Sequence, residues 1–135
     1  MPGEATQHAY ISYRDAPSAL QWLQAIGFRV VTRNDGEDGR VLHAEVRRGD
    51  AALMIATADA DYVTPPLIGE SVGSGVYLCL RDPADVDAWH QRALAAGATP
   101  VIAPENTAWG TRRARVLDPE GHEWSAGTYR PGESS

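Results

Sequence analysis

Two stretches of this chain repeat one another. YISYRDAPSALQWLQAIGF runs from Tyr10 to Phe28, and VYLCLRDPADVDAWHQRALAAGA runs from Val76 to Ala98. Arg14-Asp15 and Arg81-Asp82 stand 67 residues apart, as do Trp22 and Trp89. Each stretch reads as a strand, an Asp, a Pro within the first helical turn, and a helix that ends at Gly. Self-similarity at half the length of a 135-residue chain points to duplication of one supersecondary unit.

Local chemistry agrees with that reading. Tyr10 to Tyr13 and Val76 to Leu80 are rich in β-branched and aromatic residues. Asp15 and Asp82 suit N-caps, whose short carboxylates accept from free first-turn amides, and Pro17 and Pro83 lose nothing there by lacking an N–H. Ala19, Trp22, Leu23 and Ile26 form one apolar stripe, and Val86, Trp89, Ala93 and Ala96 another. The two Trp are expected as core anchors, and Gly27 and Gly97 as left-handed residues that stop the helices.

Three strand-like runs follow each helix: Phe28 to Arg33, Val41 to Arg48 and Ala51 to Ala56, then Thr99 to Ala103, Arg112 to Leu117 and Glu123 to Tyr129. Asn34 to Gly39 reads as a hairpin loop. The expected fold is therefore α+β. Two tandem βαβββ modules, residues 1–58 and 75–130, form a curved eight-stranded sheet cup with the helices outside. Residues 59–74 read as a connector able to serve as lid or rim, and residues 131–135 as a flexible tail. One helix covers only one face of a four-stranded sheet, which leaves the other face for a ligand.

Composition narrows the function. With a net charge of −6, nucleic acid is not an expected partner, and Arg112, Arg113 and Arg115 are too small a basic cluster to change that. All twelve basic residues are Arg, so lysine Schiff-base chemistry is excluded. Cys79 is the single cysteine, which rules out an internal disulfide; with no signal-peptide layout in Met1 to Gln7 and no apolar run longer than Ala51 to Ala56, a cytoplasmic, non-membrane protein is expected.

The chain resembles the vicinal-oxygen-chelate superfamily of glyoxalases, extradiol dioxygenases and bleomycin-resistance proteins. The resemblance spans roughly Gln7 to Tyr129 and rests on YRDAPSALQWLQAIGF, HAEVRRGDAALMIA and TAWGTRRARVLDPEGHEWSAGTY. It implies paired βαβββ modules, a homodimer, and pockets shared between modules or subunits. It implies no single reaction, since the scaffold hosts both metal enzymes and binders.

Metal enzymes of that superfamily place His, Glu or Gln on the inner faces of the first and last strands of each module. The positions carried over are His8, Met54, Val76 and Ser125, of which only His8 is a ligand type. No metal or other cofactor is therefore expected. If a metal binds, its donors would come from His8, His43, Glu45 and Glu123. His43 and Glu45 share one strand face, and read either as a chelating pair or as the polar rim opposite Leu42, Ala44 and Val46. His90 reads as solvated on its helix, and Cys79 as a small hydrophobe facing the helix.

The expected ligand-binding set is His8, Tyr10, Met54, Tyr62, Val76, Leu78, Trp109, Arg112 and Ser125. Trp109 either stacks on a planar ligand or folds onto the apolar rim. Arg112 either meets a ligand oxygen or pairs with Glu105 or Asp118. The leading function is a small-molecule binder that sequesters a hydrophobic, partly aromatic ligand, as in antibiotic resistance. The alternatives are a metal-dependent lyase, isomerase or dioxygenase, and a metal-free enzyme with His8 as base.

Overall fold

A computed structural model describes residues 5–133. Its elements run β1 (Tyr10–Tyr13), α1 (Ala16–Ala25), β2 (Arg29–Asp35), β3 (Val41–Arg48), β4 (Ala51–Thr57), β5 (Gly75–Cys79), α2 (Pro83–Ala95), β6 (Thr99–Asn106), β7 (Arg112–Leu117) and β8 (Glu123–Gly127). The order is βαβββ twice, and each copy builds its own four-stranded sheet. Strand order is β1-β4-β3-β2 in one and β5-β8-β7-β6 in the other, with one parallel pair at the same edge of each sheet. The fold is α+β, as the repeat predicts. The chain divides into two compact units between Asp61 and Tyr62.

The helix boundaries follow from the caps. Asp15 accepts from the Ser18 amide at 3.1 Å, and the Asp85 carboxylate accepts from the Asp82 amide at 3.3 Å. Gly27 and Gly97 close the helices with φ of +108° and +107°, a conformation that costs a β-carbon dearly. Asp15 and Asp82 are 67 residues apart but these glycines are 70 apart; the difference lies in α2, which has 13 residues against 10 in α1.

Each helix packs on one face of its own sheet. In the first unit Trp22, Leu23 and Ile26 meet Val41, Ala44, Val46 and Ile55, all buried. In the second unit Val86, Trp89 and Ala93 meet Leu78, Ala114, Val116 and Ala126, also buried. The expected apolar face of β3 needs one correction. A bulge makes Asp35 pair with Val41 while Asn34 pairs with His43, so Val41 takes the core place and Leu42 is 59% exposed.

The turn between β7 and β8 is organised by a buried carboxylate. Asp118 is 2% exposed and accepts from the Glu120 amide (2.9 Å), the His122 amide (3.1 Å) and the Trp124 indole N–H (3.0 Å). Trp124 itself is fully buried beneath α2. One side chain thus sets both the turn and the largest ring of β8.

Residues 62–74, expected as part of a connector, attach to the second unit. The Tyr62 hydroxyl donates to Glu120, and its ring stacks on His122 with centroids 5.7 Å apart. Glu123, buried at the start of β8, accepts from the Ser71 hydroxyl (2.9 Å) and the Val72 amide (2.7 Å). The expected flexible tail falls partly on residues 134–135, which lie outside the described residues; within them Arg130 reaches Glu133 at 3.9 Å.

His90 departs from expectation: it is buried on α2 rather than solvated, and neither its Nε2 nor the Trp89 Nε1 has a hydrogen-bond partner among the described residues. Burial lowers the His90 pKa below the ordinary 6.5, outweighing the nearby Asp87, which raises it. A depressed histidine contributes stability that is present above 6.5 and is lost as pH falls through its folded-state value. Denaturant titrations at pH 8 and pH 5 should show wild type losing stability relative to His90→Leu on acidification. A constant difference between the two proteins would remove this role. Asp118→Ala should cost on the order of 3 kcal/mol, because three donors lose a charged acceptor, with Asp118→Asn recovering part of the loss.

Candidate functional site

Strand alternation leaves the face opposite each helix uncovered, and both open faces carry a concavity. The larger belongs to the second unit. Tyr77 on β5 pairs with Ser125 on β8, and Ser125 with Arg115 on β7. These residues and Arg113 form the floor of a cavity of about 510 Å³. Thr107, Trp109 and Thr111 form one wall and Tyr129 another.

The wall loop is clasped. The Thr107 amide donates to the Thr111 carbonyl (2.8 Å), the Thr111 amide donates to Thr107 Oγ1 (3.1 Å), and the two hydroxyls lie 2.8 Å apart. Gly110, at φ +86°, turns the chain between them. The clasp leaves Trp109 at the tip, 64% exposed. An indole so exposed contributes little to the core.

Tyr77 is fixed as firmly. Its hydroxyl donates to the Tyr129 carbonyl at 2.7 Å, and burial on the sheet raises its pKa to about 12. It remains a neutral phenol at any physiological pH. The ring lies across β8 where a β-carbon on Gly127 would come within 2.8 Å of its hydroxyl and 2.9 Å of the Arg112 carbonyl. Only glycine fits beneath it.

Three arginines line this cavity, each held differently. Arg112 contributes to the wall, but its guanidinium binds the Asp87 carboxylate (Nε 2.9 Å, Nη2 2.8 Å) and Asn106 Oδ1 (3.0 Å), rather than the partners expected from sequence. Arg113 donates through Nε and Nη2 to Glu105 Oε1 at 3.1 and 3.0 Å. Arg115 donates to Ser125 (2.8 Å) and the Glu70 carbonyl (2.5 Å), with Glu123 at 3.3 Å.

Trp109, Arg112 and Ser125 line this one cavity, and three other expectations are corrected. Val76 and Leu78 lie on the covered side of β5, opposite Trp124 and Ala126, with Leu78 buried. Cys79, expected to face the helix, is exposed. Tyr62 does not line the cavity, because Glu120 and His122 hold it at the far turn. The error is one residue of parity in β5, and the repeat itself contained the remedy: an offset of 67 carries Tyr10 onto Tyr77.

The first unit's open face holds a smaller pocket of about 170 Å³, lined by Tyr10, Ser12, His43, Met54 and Ala56 among others. Tyr10 and Met54 pair directly, and His43 Nε2 lies 2.8 Å from Glu45 Oε2. His8 has both ring nitrogens engaged, Nδ1 with the Ala52 carbonyl (2.9 Å) and Nε2 with Thr6 Oγ1 (3.0 Å). No group of three or more His, Cys, Asp or Glu side chains able to hold a metal ion occurs among the described residues. Glu123, a candidate donor, is already committed to Ser71, Val72 and Arg115.

Comparison with known proteins places this architecture. The sequence model of the Glyoxalase/Bleomycin resistance protein/Dioxygenase superfamily matches residues 5–126. An uncharacterised protein of Mycobacterium bovis is 38% identical over 119 residues, covering 84% of this chain and 76% of that one. The crystal structure of TioX from a Micromonospora species aligns with a TM-score of 0.68 and 26% identity, over 94% of this chain and all of the other. A bleomycin-binding protein solved in complex with bleomycin shares the fold at a TM-score of 0.58 and 22% identity, over 94% of this chain and 100% of the other. The fold is thus one shared with known structures, and the chain belongs to the glyoxalase/bleomycin resistance protein/dioxygenase superfamily.

Proposed function

We propose that this protein binds a hydrophobic, partly aromatic small molecule in the cavity on the open face of its second unit. The observation that carries the reading is the clasped loop. A large ring is held at the tip of a rigid turn, exposed to solvent, over a cavity of about 510 Å³. Ordering a bulky side chain costs conformational entropy, and stacking on a planar ligand offsets that cost with an interaction of about 0.5–1.5 kcal/mol beyond area burial. The rigid phenol of Tyr77 supplies a second ring, and Ser125 and the floor arginines supply directional polar contacts. Sequestration of an antibiotic is the most concrete form of this role, in keeping with the bleomycin-binding relative. A homodimer in the cytoplasm is part of the same proposal. The metal-dependent alternative has less support, because the open-face positions Met54, Tyr77 and Ser125 hold no His, Glu or Gln and the remaining donors are bound within their own units.

Calorimetry with an uncharged planar probe, 1-naphthamide, tests the reading. Trp109→Ala should weaken binding roughly ten-fold while leaving the melting temperature nearly unchanged. Trp22→Ala and Trp89→Ala should instead lose about 3–5 kcal/mol of stability, since they empty core space. Gly127→Ala should weaken binding by displacing the Tyr77 ring. Wild-type affinity in Trp109→Ala, or a melting temperature lowered as far as in the helix variants, would refute the stacking role.

A further inference from the structure

We infer that the ligand of the second unit's cavity carries a carboxylate beside its planar ring, and that Arg113 is the residue that receives it; this rests on the binding role proposed above. The charge of the lining is the first observation. Eleven residues line the cavity; three are Arg and none is Asp or Glu, in a chain whose net charge is −6. Each guanidinium is paired with a carboxylate just outside the lining (Asp87, Glu105 and Glu123), so what the cavity offers an anion is a set of cationic hydrogen-bond donors rather than a net positive charge.

The three guanidiniums are not equivalent. Arg112 is turned away and held by Asp87 and Asn106. Arg115 is held by Ser125, Glu123 and the Glu70 carbonyl, so its donors are already engaged. Arg113 is different: its partner Glu105 lies outside the lining, and the two side chains are 42% and 48% exposed. An ion pair of that exposure is screened by solvent and held only weakly. A ligand carboxylate brought up under the Trp109 ring exchanges for Glu105 at little cost, gaining the planar fork geometry that guanidinium and carboxylate share.

The first unit provides an internal contrast. Pairing registers Met54 with Glu45, as Ser125 registers with Arg115, and His43 stands where Arg113 stands. The equivalent open-face positions therefore hold Glu45 and His43 in one copy and two arginines in the other. The two open faces thus differ in charge as well as in size, and the arginine-bearing one is the face with room for a ring system.

The test compares 1-naphthoate with 1-naphthamide, which share a ring and differ in charge. Calorimetry on the full chain at low salt should find the carboxylate bound more tightly by roughly three-fold or more, the surplus of the new pair over the solvent-exposed one it replaces, with the advantage shrinking as sodium chloride is raised. Arg113→Gln should bring the carboxylate-to-amide ratio close to one, and Arg113→Lys should restore part of it. Arg33→Gln, on a surface strand of the first unit, should leave the ratio as in wild type. Equal wild-type affinities for the two probes would overturn the anion assignment while leaving the binding role in place. Undiminished preference in Arg113→Gln would overturn the role of that residue. Binding of neither probe would overturn both the assignment and the function beneath it.

Discussion

Everything in this fold depends on a sheet of four strands having two faces and only one helix to cover them. The helix removes one face from water, and the hydrophobic gain from Trp22, Trp89 and their neighbours holds each unit together. The other face is left with whatever residues fall on the opposite parity. Because side chains alternate with a period of two, choosing the core residues of a strand also chooses its ligand-facing residues. Ala114 and Val116 go under α2, so Arg113 and Arg115 stand on the open side. Core and open face are written on alternate residues of the same strands.

That coupling explains what was legible beforehand. Strands β1, β3 and β7 lie where alternation and turn chemistry place them, and the caps at Asp15 and Asp82 mark both helix starts. The paired modules follow from the 67-residue repeat. Face assignment was harder wherever a strand carried apolar residues on both parities. In VYLCL every side chain could be core, so alternation does not discriminate, and Val76 and Leu78 were put on the wrong side. In β3 the bulge at Leu42 changes the parity midway, which no periodic reading anticipates. His90 was misplaced for a different reason: a polar residue on an amphipathic helix reads as exposed, yet its side chain is buried with an unmet nitrogen.

Long-range polar contacts were invisible for a third reason. Nothing in the spacing of Glu123 and Ser71, or of Arg112 and Asp87, separates them from ordinary surface charges until the backbone brings them together. Asp118 is intermediate. Its turn was recognisable, but the reach of its second oxygen to the Trp124 indole was not. These contacts bind residues 62–74 to the second unit and fix the arginines, so the site's polar layout is a product of tertiary structure rather than of motif.

The bonds of the threonine clasp in the wall loop run between the backbone and hydroxyls of residues 107 and 111, and none uses the side chains of Ala108 or Trp109. The loop's shape is therefore insulated from the identity of its tip. On the proposed binding role, substitutions at residues 108 and 109 alter what the loop tip offers a ligand while the hydrogen bonds that shape the loop stay in place.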